Sequence, residues 1–351
     1  MAIPSGLPTT GSAPLILQVE PEEGGARLDA WLCTRIDEMS RTRATDHITQ
    51  GHVRLLRGPV SAKIKPSLQI HRTMTFEVAL QPRPQMSAEP EAIALSVVYE
   101  DDDVLVVDKP PGLVVHPAAG HESGTLVNAL LHHAPQVQGL GDEVRPGLVH
   151  RIDKDTSGLM VVTKNERAMR RLAADFAAHR LERRYAAIAL GQLSQEELTV
   201  TTLHGRHPTD RKRFSGRVRE GKAAVTHLTV LARSPLTTLV VATLETGRTH
   251  QIRMHLAELG HPLAGDALYG GVRPHPKTER TVVDLQWLKR IERQALHAYA
   301  LGFRHPRTGE LMRFELDWPA DLREVAHGLY GDGSRLPKLS EPVHGQPPPL
   351  V

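Results

Sequence analysis

The sequence is poor in cysteine and in long apolar runs. Its 351 residues include a single cysteine, Cys33, so an internal disulfide and a thiolate zinc cluster are both excluded. No stretch approaches the roughly 18 uninterrupted apolar residues that a membrane span requires. The first residues lack the basic start and long apolar run of a secretion signal. These absences predict a protein of the reducing cytoplasm with no membrane partner.

Strong net charge is also lacking, but the positive charge is concentrated. Forty-three Lys and Arg against 40 Asp and Glu leave a net charge of +3. Residues 27–84 hold ten basic and five acidic side chains, and residues 204–222 hold seven and two. Such local patches are typical of phosphate binding. They are equally typical of a solvated basic surface, and charge alone does not decide between the two.

Changes in composition divide the chain into five segments. Residues 1–24 are rich in Pro, Gly, Ser and Thr and predict a flexible tail. Residues 25–80 predict a small module with two helices followed by two strands. Residues 81–92 contain three prolines and are predicted to form a linker. A larger domain is expected over residues 93–325, and the Pro- and Gly-rich residues 326–351 predict a disordered tail.

The larger domain is dominated by short β-like runs. Two helical patterns interrupt them, over Asn165–His179 and Thr249–Leu259. The order is not a regular alternation of strands and helices, so we predict an α+β fold with a mixed, largely antiparallel sheet and flanking helices. The predicted strands are Val104–Val107, Leu113–Val115, Leu159–Thr163, Tyr185–Leu190, Val225–Leu231, Leu239–Leu244 and Met312–Leu316.

The densest polar cluster lies between two apolar runs, at residues 147–165. Asp153 and Asp155 stand two residues apart, flanked by Arg151 and Lys154. Neighbouring cations keep a carboxylate ionised, as a nucleophile requires. Residues 155–158, Asp-Thr-Ser-Gly, are also typical of a polar turn that ends in glycine. From the residues alone, either aspartate is the candidate.

A second cluster, residues 245–255, combines a turn with a helix start. Arg248 and the free N–H groups of the helix predict an anion site. His250 and Arg253 share one helix face. An amphipathic helix with a solvated basic side fits the pattern as well. His250 and His255 are five residues apart, which does not match the four-residue spacing of a zinc-binding pair, so no metal site is predicted.

Three further features have plain structural alternatives. Lys109 begins a Pro-Pro-Gly turn between strands, which is typical of an ordinary hairpin. Tyr185 stands at a strand start, where tyrosine usually packs in a core or an interface. The basic run at residues 206–222, with Arg206 and Arg211, contains one aromatic side chain. It therefore favours contacts to a nucleic-acid backbone over base stacking.

Four motifs in order resemble the RluA family of RNA pseudouridine synthases, over about residues 98–320. They are DKPPGLVVHP at 108–117, HRIDKDTSGLMVVTKN at 150–165, TGRTHQIRMHLAELGHPLAGDALYG at 246–270 and LHAYALGFRHPRTGE at 296–310. The segments RHPTDRKRFSG and GKAAVTH resemble the RluD-type branch. The module at 25–80 resembles an S4 RNA-binding domain. The implied fold is a small α/β S4-like domain followed by a pseudouridine synthase domain.

The resemblance implies that uridine is converted to pseudouridine within RNA, in this branch the 23S ribosomal RNA of the large subunit. It implies no cofactor, no metal and no obligate protein partner. Asp153 matches the catalytic aspartate, acting at C1′, at the base or in glycal formation. Arg253 matches its arginine partner, and Tyr185 matches the tyrosine that stacks on the target base and can help to remove the C5 proton. The implied RNA-binding residues are Arg151, His150, Lys154, Arg248, His250, Lys109, Arg206, Arg211, Arg41 and Arg43.

Two other functions are compatible with these residues. A non-catalytic RNA-binding or ribosome-assembly protein needs the same basic patches, but has no need of a carboxylate facing phosphate. A glycosidase or nucleosidase would use Asp153 and Asp155 as a pair, which requires carboxyl groups about 5–9 Å apart across the substrate.

Overall fold

The computed structural model describes residues 14–36, 39, 41–59, 63–80, 88–118, 120–138, 140, 145–270 and 279–341, except the side chains of residues 41–43 and 279–281. The chain divides into two compact units, Met1–Gln85 and Met86–Val351. In the part of the chain just given, no helix is long and apolar enough to cross a membrane.

The first unit packs two helices on a small antiparallel sheet. The helices are α1 (Leu28–Arg35) and α2 (Arg41–Thr49). The strands β1 (Leu15–Gln18), β2 (Val53–Arg57) and β3 (Thr75–Val78) pair in the order β1-β3-β2. Leu32 of α1 and Phe76 of β3 are fully buried in the shared core. The apolar stripe of α1 thus covers one face of the sheet.

The N-terminal tail predicted over residues 1–24 is wrong for the residues that are described. Leu15–Gln18 pair with β3 along the whole strand. Leu17 and Val19 are buried in the core of the unit. Leu15, Leu17 and Val19 alternate along the chain, which is the spacing of a half-buried strand. Residues 1–13 lie outside the described residues.

The second unit is built on one sheet of ten strands. The strands are β4 (Ser96–Glu100), β5 (Val104–Lys109), β6 (Ser157–Thr163), β7 (Glu182–Leu190), β8 (Glu197–Arg206), β9 (Phe214–Ser215), β10 (Lys222–Arg233), β11 (Thr237–Leu244), β12 (Leu296–Arg304) and β13 (Leu311–Glu315). Nine of them pair in the order β4-β5-β6-β12-β7-β11-β10-β8-β9, and β13 also pairs with β12. The pairing of β6 with β12 is parallel, and every other pairing of the ordered path is antiparallel. The predicted mixed, largely antiparallel sheet is therefore confirmed.

Helices cover both faces of this sheet. They are α3 (Leu126–His133), α4 (Glu166–Ala177), α5 (Gln251–Glu258), α6 (Glu279–Leu288) and α7 (Ala320–Tyr330). Side chains of β7 alternate between two cores. Tyr185 and Ala187 join the core that contains α3 and α5. Ala186 and Ile188 join the core that contains α6 and α7. The central strand thus presents Tyr185 on the face where α5 lies.

Other expectations need correction. Leu113–Val115 is not a strand, although Val115 is buried. The predicted linker over residues 81–92 is wrong at its end, because Asn128 of α3 holds the chain there. Its amide donates to the Glu89 carbonyl at 2.7 Å, and its own carbonyl accepts from the Glu91 N–H at 3.0 Å. Residues 81–87 lie outside the described residues.

The disordered C-terminal tail predicted over residues 326–351 is wrong for residues 326–341. Helix α7 continues to Tyr330, a short 3-10 turn follows, and Leu339 is buried. The buried guanidinium of Arg184 donates to the carbonyls of Lys338 and Glu341 at 2.8 and 3.2 Å. A buried arginine needs such acceptors, so it fixes this segment to the sheet. Residues 342–351 lie outside the described residues.

Candidate active site

Asp153 lies in a loop that enters the sheet at β6. Residues 150–156, called the Asp153 loop here, form a turn in which the Thr156 N–H donates to the Asp153 carbonyl at 3.1 Å. Gly158 follows, with φ of +116°, and a Cβ at this residue would stand 2.2 Å from the Ala298 carbonyl oxygen. Only glycine permits this approach of β6 to β12. The close parallel pairing therefore fixes where the loop ends.

A cavity of about 590 Å³ opens in front of Asp153. This volume is within the usual range of small-molecule sites. Its walls come from the Asp153 loop, from β7 and from the start of α5. Among the described residues that line it, Asp153 is the single carboxylate. The cations that line it are Arg145, Arg151, Arg183, Arg248 and Arg253. The cavity thus suits a polyanionic ligand that binds to the arginines and places one of its groups next to the Asp153 carboxylate.

Arg253 of α5 joins two carboxylates. Its Nη1 donates to Asp153 Oδ2 at 3.1 Å, while its Nε and Nη2 donate to the two oxygens of Asp266 at 2.7 and 2.9 Å. Burial would lower the pKa of Arg253, but the bonds and charges of Asp266 and Asp153 raise it. A permanent cation therefore stands against the Asp153 side chain.

Asp266 fixes the direction of Arg253. Its side chain has no exposed surface, and one of its oxygens also accepts the backbone N–H groups of Leu268 and Tyr269 at 3.0 Å each. Burial alone would raise the pKa of Asp266, but its bonds to Arg253 lower it. Because Asp266 holds Nε and Nη2 of the planar guanidinium in a bidentate pair, the direction of the third nitrogen, Nη1, is fixed as well, and it points to Asp153.

His250 lies on the other side of Asp153. Its Nε2 is 3.9 Å from Asp153 Oδ1, beyond hydrogen-bond distance. Its backbone is left-handed, with φ of 56°, where α5 begins. Burial lowers the pKa of His250, against the opposing charge of Asp153. The imidazole is therefore neutral at pH 7, and it packs edge-on against Tyr269 and Phe214.

Tyr185 presents its ring to the cavity from β7, opposite Ala242 of β11. Only 7% of the residue is exposed. Burial raises the pKa of its hydroxyl, so the phenol is neutral at pH 7. The side chain combines a flat apolar face with a polar tip. It can thus stack on a planar base that enters the cavity.

Arg151 stands at the mouth of the cavity and is exposed. Its Nη1 donates to His116 Nε2 at 2.9 Å, and His116 Nδ1 lies 3.2 Å from the Pro117 carbonyl. Burial, and then the charge of Arg151, lower the pKa of His116. The neutral ring therefore carries its proton on Nδ1 and accepts at Nε2. The sequence did not predict His116 as a site residue, although it lies in the motif at 108–117, because its partner Arg151 belongs to another motif.

The expectation that Lys109 contacts RNA is wrong. Lys109 has no exposed surface. Its Nζ donates to the carbonyls of Pro110, Leu113 and Lys154 at 2.8, 2.9 and 2.8 Å. Burial lowers the pKa of Lys109 to about 7, while three converging carbonyls favour the ammonium, which has three hydrogens to donate. Lys109 thus secures the Asp153 loop from beneath, at the residue after Asp153.

His150 also serves the wall of the cavity rather than phosphate binding. Its Nε2 accepts the Val161 N–H at 3.0 Å, and its ring stacks on Phe176 at 4.8 Å. Burial lowers the pKa of His150 to about 3. A neutral ring with its accepting nitrogen occupied cannot provide a cation for RNA. This corrects the expectation for His150.

The remaining predicted RNA-binding residues differ in position. Arg248 lines the cavity, and its Nε donates to the Ala223 carbonyl at 3.0 Å. Arg206, at the end of β8, is exposed and stacks over Phe214 at 4.4 Å. Arg211 and Lys154 have exposed side chains that do not line the cavity. Arg41 and Arg43 belong to α2, and their side chains lie outside the described residues.

The pair of carboxylates that a glycosidase needs is not formed. Asp155 does not line the cavity, and its carbonyl accepts from Arg293 at 3.0 Å. A zinc pair is not formed either, because each ring nitrogen of His255 lies 2.9 Å from a threonine hydroxyl, of Thr202 and Thr226. Among the residues that the structure describes, Asp153 is thus the single carboxylate that lines this cavity.

A cluster of two aspartates and a histidine lies among residues that do not line the cavity. Asp101, Asp103 and His305 bring their polar atoms within 4.8 Å of one another. Asp103 is already paired with Arg167 and Arg307 at 2.8 Å each. Asp101 accepts two backbone N–H groups and a tyrosine hydroxyl. Since these partners balance the charges, the cluster is explained as a structural ion-pair network.

The motifs point to the class of RNA-modifying isomerases. The mixed sheet with helices on both faces fits this class, and so does the arginine-lined cavity with its one described carboxylate. Residues 103–258 match the family described as RNA pseudouridylate synthase. The chain belongs to the RluA family of RNA pseudouridine synthases, in its RluD-type branch. It is therefore an enzyme that isomerises uridine, which sets aside the purely RNA-binding alternative.

Individual relatives support this assignment. The chain is 42% identical over 314 residues to an uncharacterized RNA pseudouridine synthase, YlyB, of Bacillus subtilis, covering 89% of this chain and 97% of that protein. It is 42% identical over 324 residues to the ribosomal large subunit pseudouridine synthase D of Xanthomonas campestris, covering 92% and 94%. The structure of human RNA pseudouridylate synthase domain containing 1 aligns with a TM-score of 0.50 at 26% identity, covering 68% of this chain and 87% of that one.

Proposed function

We propose that this enzyme converts uridines of large-subunit ribosomal RNA to pseudouridine in the cytoplasm, with Asp153 as the reacting carboxylate. The observation that carries the proposal is the placement of Asp153, which is 16% exposed at the floor of the cavity and bonded to Arg253. Relatives from Xanthomonas campestris and Pseudomonas aeruginosa, 42% and 41% identical, are named ribosomal large subunit pseudouridine synthase D. Their names support the choice of RNA.

The target uridine must leave its helix before it reaches Asp153. A base stacked in a duplex cannot meet a carboxylate at the floor of a cavity, and extruding it costs a few kcal/mol. Contacts between arginines and phosphates offset that cost and carry no sequence information. Arg151 at the mouth, held by His116 at 2.9 Å, is placed to occupy the space that the extruded base leaves.

The chemistry is a rearrangement with no change in oxidation state. The bond from N1 of uracil to C1′ of ribose breaks, and a bond from C5 to C1′ forms. C5 loses its proton and N1 gains one, so atoms and electrons balance without an oxidant. The Asp153 carboxylate supplies the negative charge that acts on the nucleoside, and Arg253 holds it in position through their hydrogen bond. Tyr185 stacks on the detached uracil and keeps it in the cavity while it rotates.

A second carboxylate function is not favoured, because Asp155 lies away from the cavity. Tyr185 is also better suited to stacking than to proton removal. Since burial raises the pKa of its hydroxyl, the phenolate form is rare at pH 7.

The test compares pseudouridines in large-subunit ribosomal RNA from cells with and without the gene, mapped by carbodiimide reactivity. We expect the deletion to lose specific sites and the wild-type gene to restore them. Asp153→Asn should not restore them, although the purified variant still binds RNA. As a matched control, Asp284→Asn alters a buried aspartate that accepts from Ser234 and Leu236, and it should restore the sites. An unchanged pseudouridine map in the deletion strain contradicts the proposal.

A further inference from the structure

Arg293 is a nearly buried arginine that the chemistry above does not use. It stands just before β12, and 10% of its side chain is exposed. Its Nη1 donates to the Asp155 carbonyl at 3.0 Å, and its Nη2 donates to the Ser157 hydroxyl at 3.1 Å. Nη1 also reaches the carbonyls of Gln294 and Leu296, at 3.2 Å each. The rigid fork thus holds the end of the Asp153 loop through Nη1 and the start of β6 through Nη2.

The loop is held by cations at two successive carbonyls. Lys109 donates to the Lys154 carbonyl at 2.8 Å, and Arg293 donates to the next carbonyl, that of Asp155. Gln294, beside Arg293, donates from its amide to the Thr156 hydroxyl at 2.8 Å. Every residue from Lys154 to Ser157 therefore has a polar contact with one of these three side chains. The backbone that carries Asp153 has little freedom left.

The same segment also contacts the chain that carries Asp266. The Ala295 N–H donates to the Ala264 carbonyl at 2.9 Å. A Cβ at Gly265 would lie 2.1 Å from the Arg293 carbonyl oxygen. Only glycine therefore allows the segments around residues 265 and 293 to approach this closely. Residues 293–295 thus contact both the loop that carries Asp153 and the segment that leads to Asp266.

Asp321 completes the arrangement. Arg293 donates to its two carboxylate oxygens at 2.6 and 3.1 Å. Asp321 lies in the first turn of α7, and 45% of its side chain is exposed. It is therefore a counter-ion at the surface, while the opposite edge of the guanidinium holds the loop. Arg293 does not line the cavity, so it has no route to RNA there.

We propose that Arg293 is a positioning residue that sets Asp153 against Arg253, with Asp321 as its counter-ion; this inference rests on the proposed role of Asp153. A reactive group must be held within about 0.5 Å of its productive position. A displacement of 1 Å lowers a rate by about 100-fold. Loss of Arg293 removes a donor from the Asp155 carbonyl and leaves the Ser157 hydroxyl with its contact to His297 Nδ1 at 3.0 Å, and so allows a displacement of this size.

The experiment measures kcat and KM for Arg293→Ala, Arg293→Lys and Asp321→Ala on one ribosomal RNA fragment. We expect Arg293→Ala to lower kcat by about 10- to 100-fold with KM changed less than about twofold. Arg293→Lys keeps the charge but not the planar fork, so its loss should be smaller. Added guanidinium ion should restore part of the kcat of Arg293→Ala, which a general loss of folding does not predict.

Arg290→Ala is the matched control. Arg290 also pairs with a carboxylate of α7, that of Glu324, but it has no contact with the Asp153 loop and its side chain is 53% exposed. It should keep the wild-type kcat and KM. If Arg293→Ala does not fold, Arg293→Lys and Asp321→Ala decide the question, because the second alters only a surface carboxylate. Wild-type kcat in both, or in Arg293→Ala itself, overturns the inference.

Asp153→Asn, assayed beside these variants, separates the two proposals. If Asp153→Asn keeps the wild-type kcat, the proposed function fails. If Asp153→Asn is inactive while the three positioning variants keep the wild-type kcat, the proposed function stands and only the role of Arg293 fails.

Discussion

Replacing Asp266 with asparagine tests how the position of Arg253 is determined. The substitution keeps the size of the side chain. In the favoured orientation, its oxygen still accepts from Leu268, Tyr269 and Arg253 Nη2, as Oδ1 does now. Its amide nitrogen then replaces Oδ2 and faces the Nε donor of Arg253, 2.7 Å away. Two donors face each other, and the buried guanidinium loses half of its charge compensation.

The magnitude follows from burial. Breaking a buried ion pair by removing one partner costs about 3–5 kcal/mol. Because asparagine keeps three of the four hydrogen bonds and Asp153 still faces Arg253, we expect the lower end, about 3 kcal/mol. Arg253 should also turn toward Asp153, which is its remaining carboxylate, and lower kcat by about 10- to 100-fold.

Urea unfolding of the second unit measures the change in stability, and single-turnover pseudouridine formation measures the rate. Asp284→Asn is the control, since its carboxylate is buried but accepts from a hydroxyl and a backbone N–H. It should change stability by about 1 kcal/mol and leave kcat unchanged. An Asp266→Asn variant that matches this control in both measurements refutes the idea that Asp266 aims Arg253.

Three further outcomes are expected. Lys109→Met removes a donor from three carbonyls, of which that of Lys154 keeps the Gly112 N–H at 3.0 Å, so urea unfolding should show a loss of about 1–3 kcal/mol for each one that stays unpaired; a stability equal to wild type contradicts the role of Lys109. Burial lowers the pKa of His255 to about 4, so between about pH 6.5 and pH 4 the unfolded chain binds a proton that the folded chain does not. Stability should therefore fall as the pH falls through that window, by up to about 1.4 kcal/mol per unit from this residue, and His255→Gln should remove that slope in urea titrations at pH 6 and pH 5. Finally, the exposed Arg206 and Arg211 should each account for about 0.7–0.9 in the slope of log binding constant against log salt; filter binding by the double alanine variant with an unchanged slope would place phosphate contacts elsewhere.

The reactive residues could be predicted from the motifs, but physics alone could not choose between Asp153 and Asp155. Two carboxylates two residues apart differ only in how the turn orients them. That orientation is set by Arg293, about 140 residues away in the sequence, which binds the Asp155 carbonyl. No local pattern contains this contact. The resemblance chose Asp153, which lines the cavity, and its catalytic role stays a prediction.

Lys109 and His116 show why charge and ring type alone mislead. A lysine beside two prolines is expected at the surface, because its three acceptors are backbone carbonyls that leave no trace in the side-chain pattern. His116 has the opposite problem, since its importance comes from an arginine of another motif, Arg151. Both are clear only when the two loops are seen together.

The two tails were predictable in principle. Leu15, Leu17 and Val19 alternate as in a strand. Apolar residues of α7 recur at the spacing of a helix that covers a core, and four of them are buried: Leu322, Val325, Ala326 and Leu329. The proline and glycine content of the tails outweighed these short patterns. The composition of a segment is an average over all its residues. It therefore does not reveal a strand of four residues, which is recognised by the alternation of its own apolar side chains.

The most direct measurement uses RNA that carries tritium at C5 of uridine, because C5 loses its hydrogen in every turnover. Wild-type enzyme under single-turnover conditions should release the label to water. Asp153→Asn should bind the same RNA with an affinity within about threefold of wild type and release label more slowly by several orders of magnitude, about 1000-fold or more. Release by Asp153→Asn at more than about 1% of the wild-type rate, with the variant folded and binding RNA, would contradict the assignment of Asp153 as the reacting group.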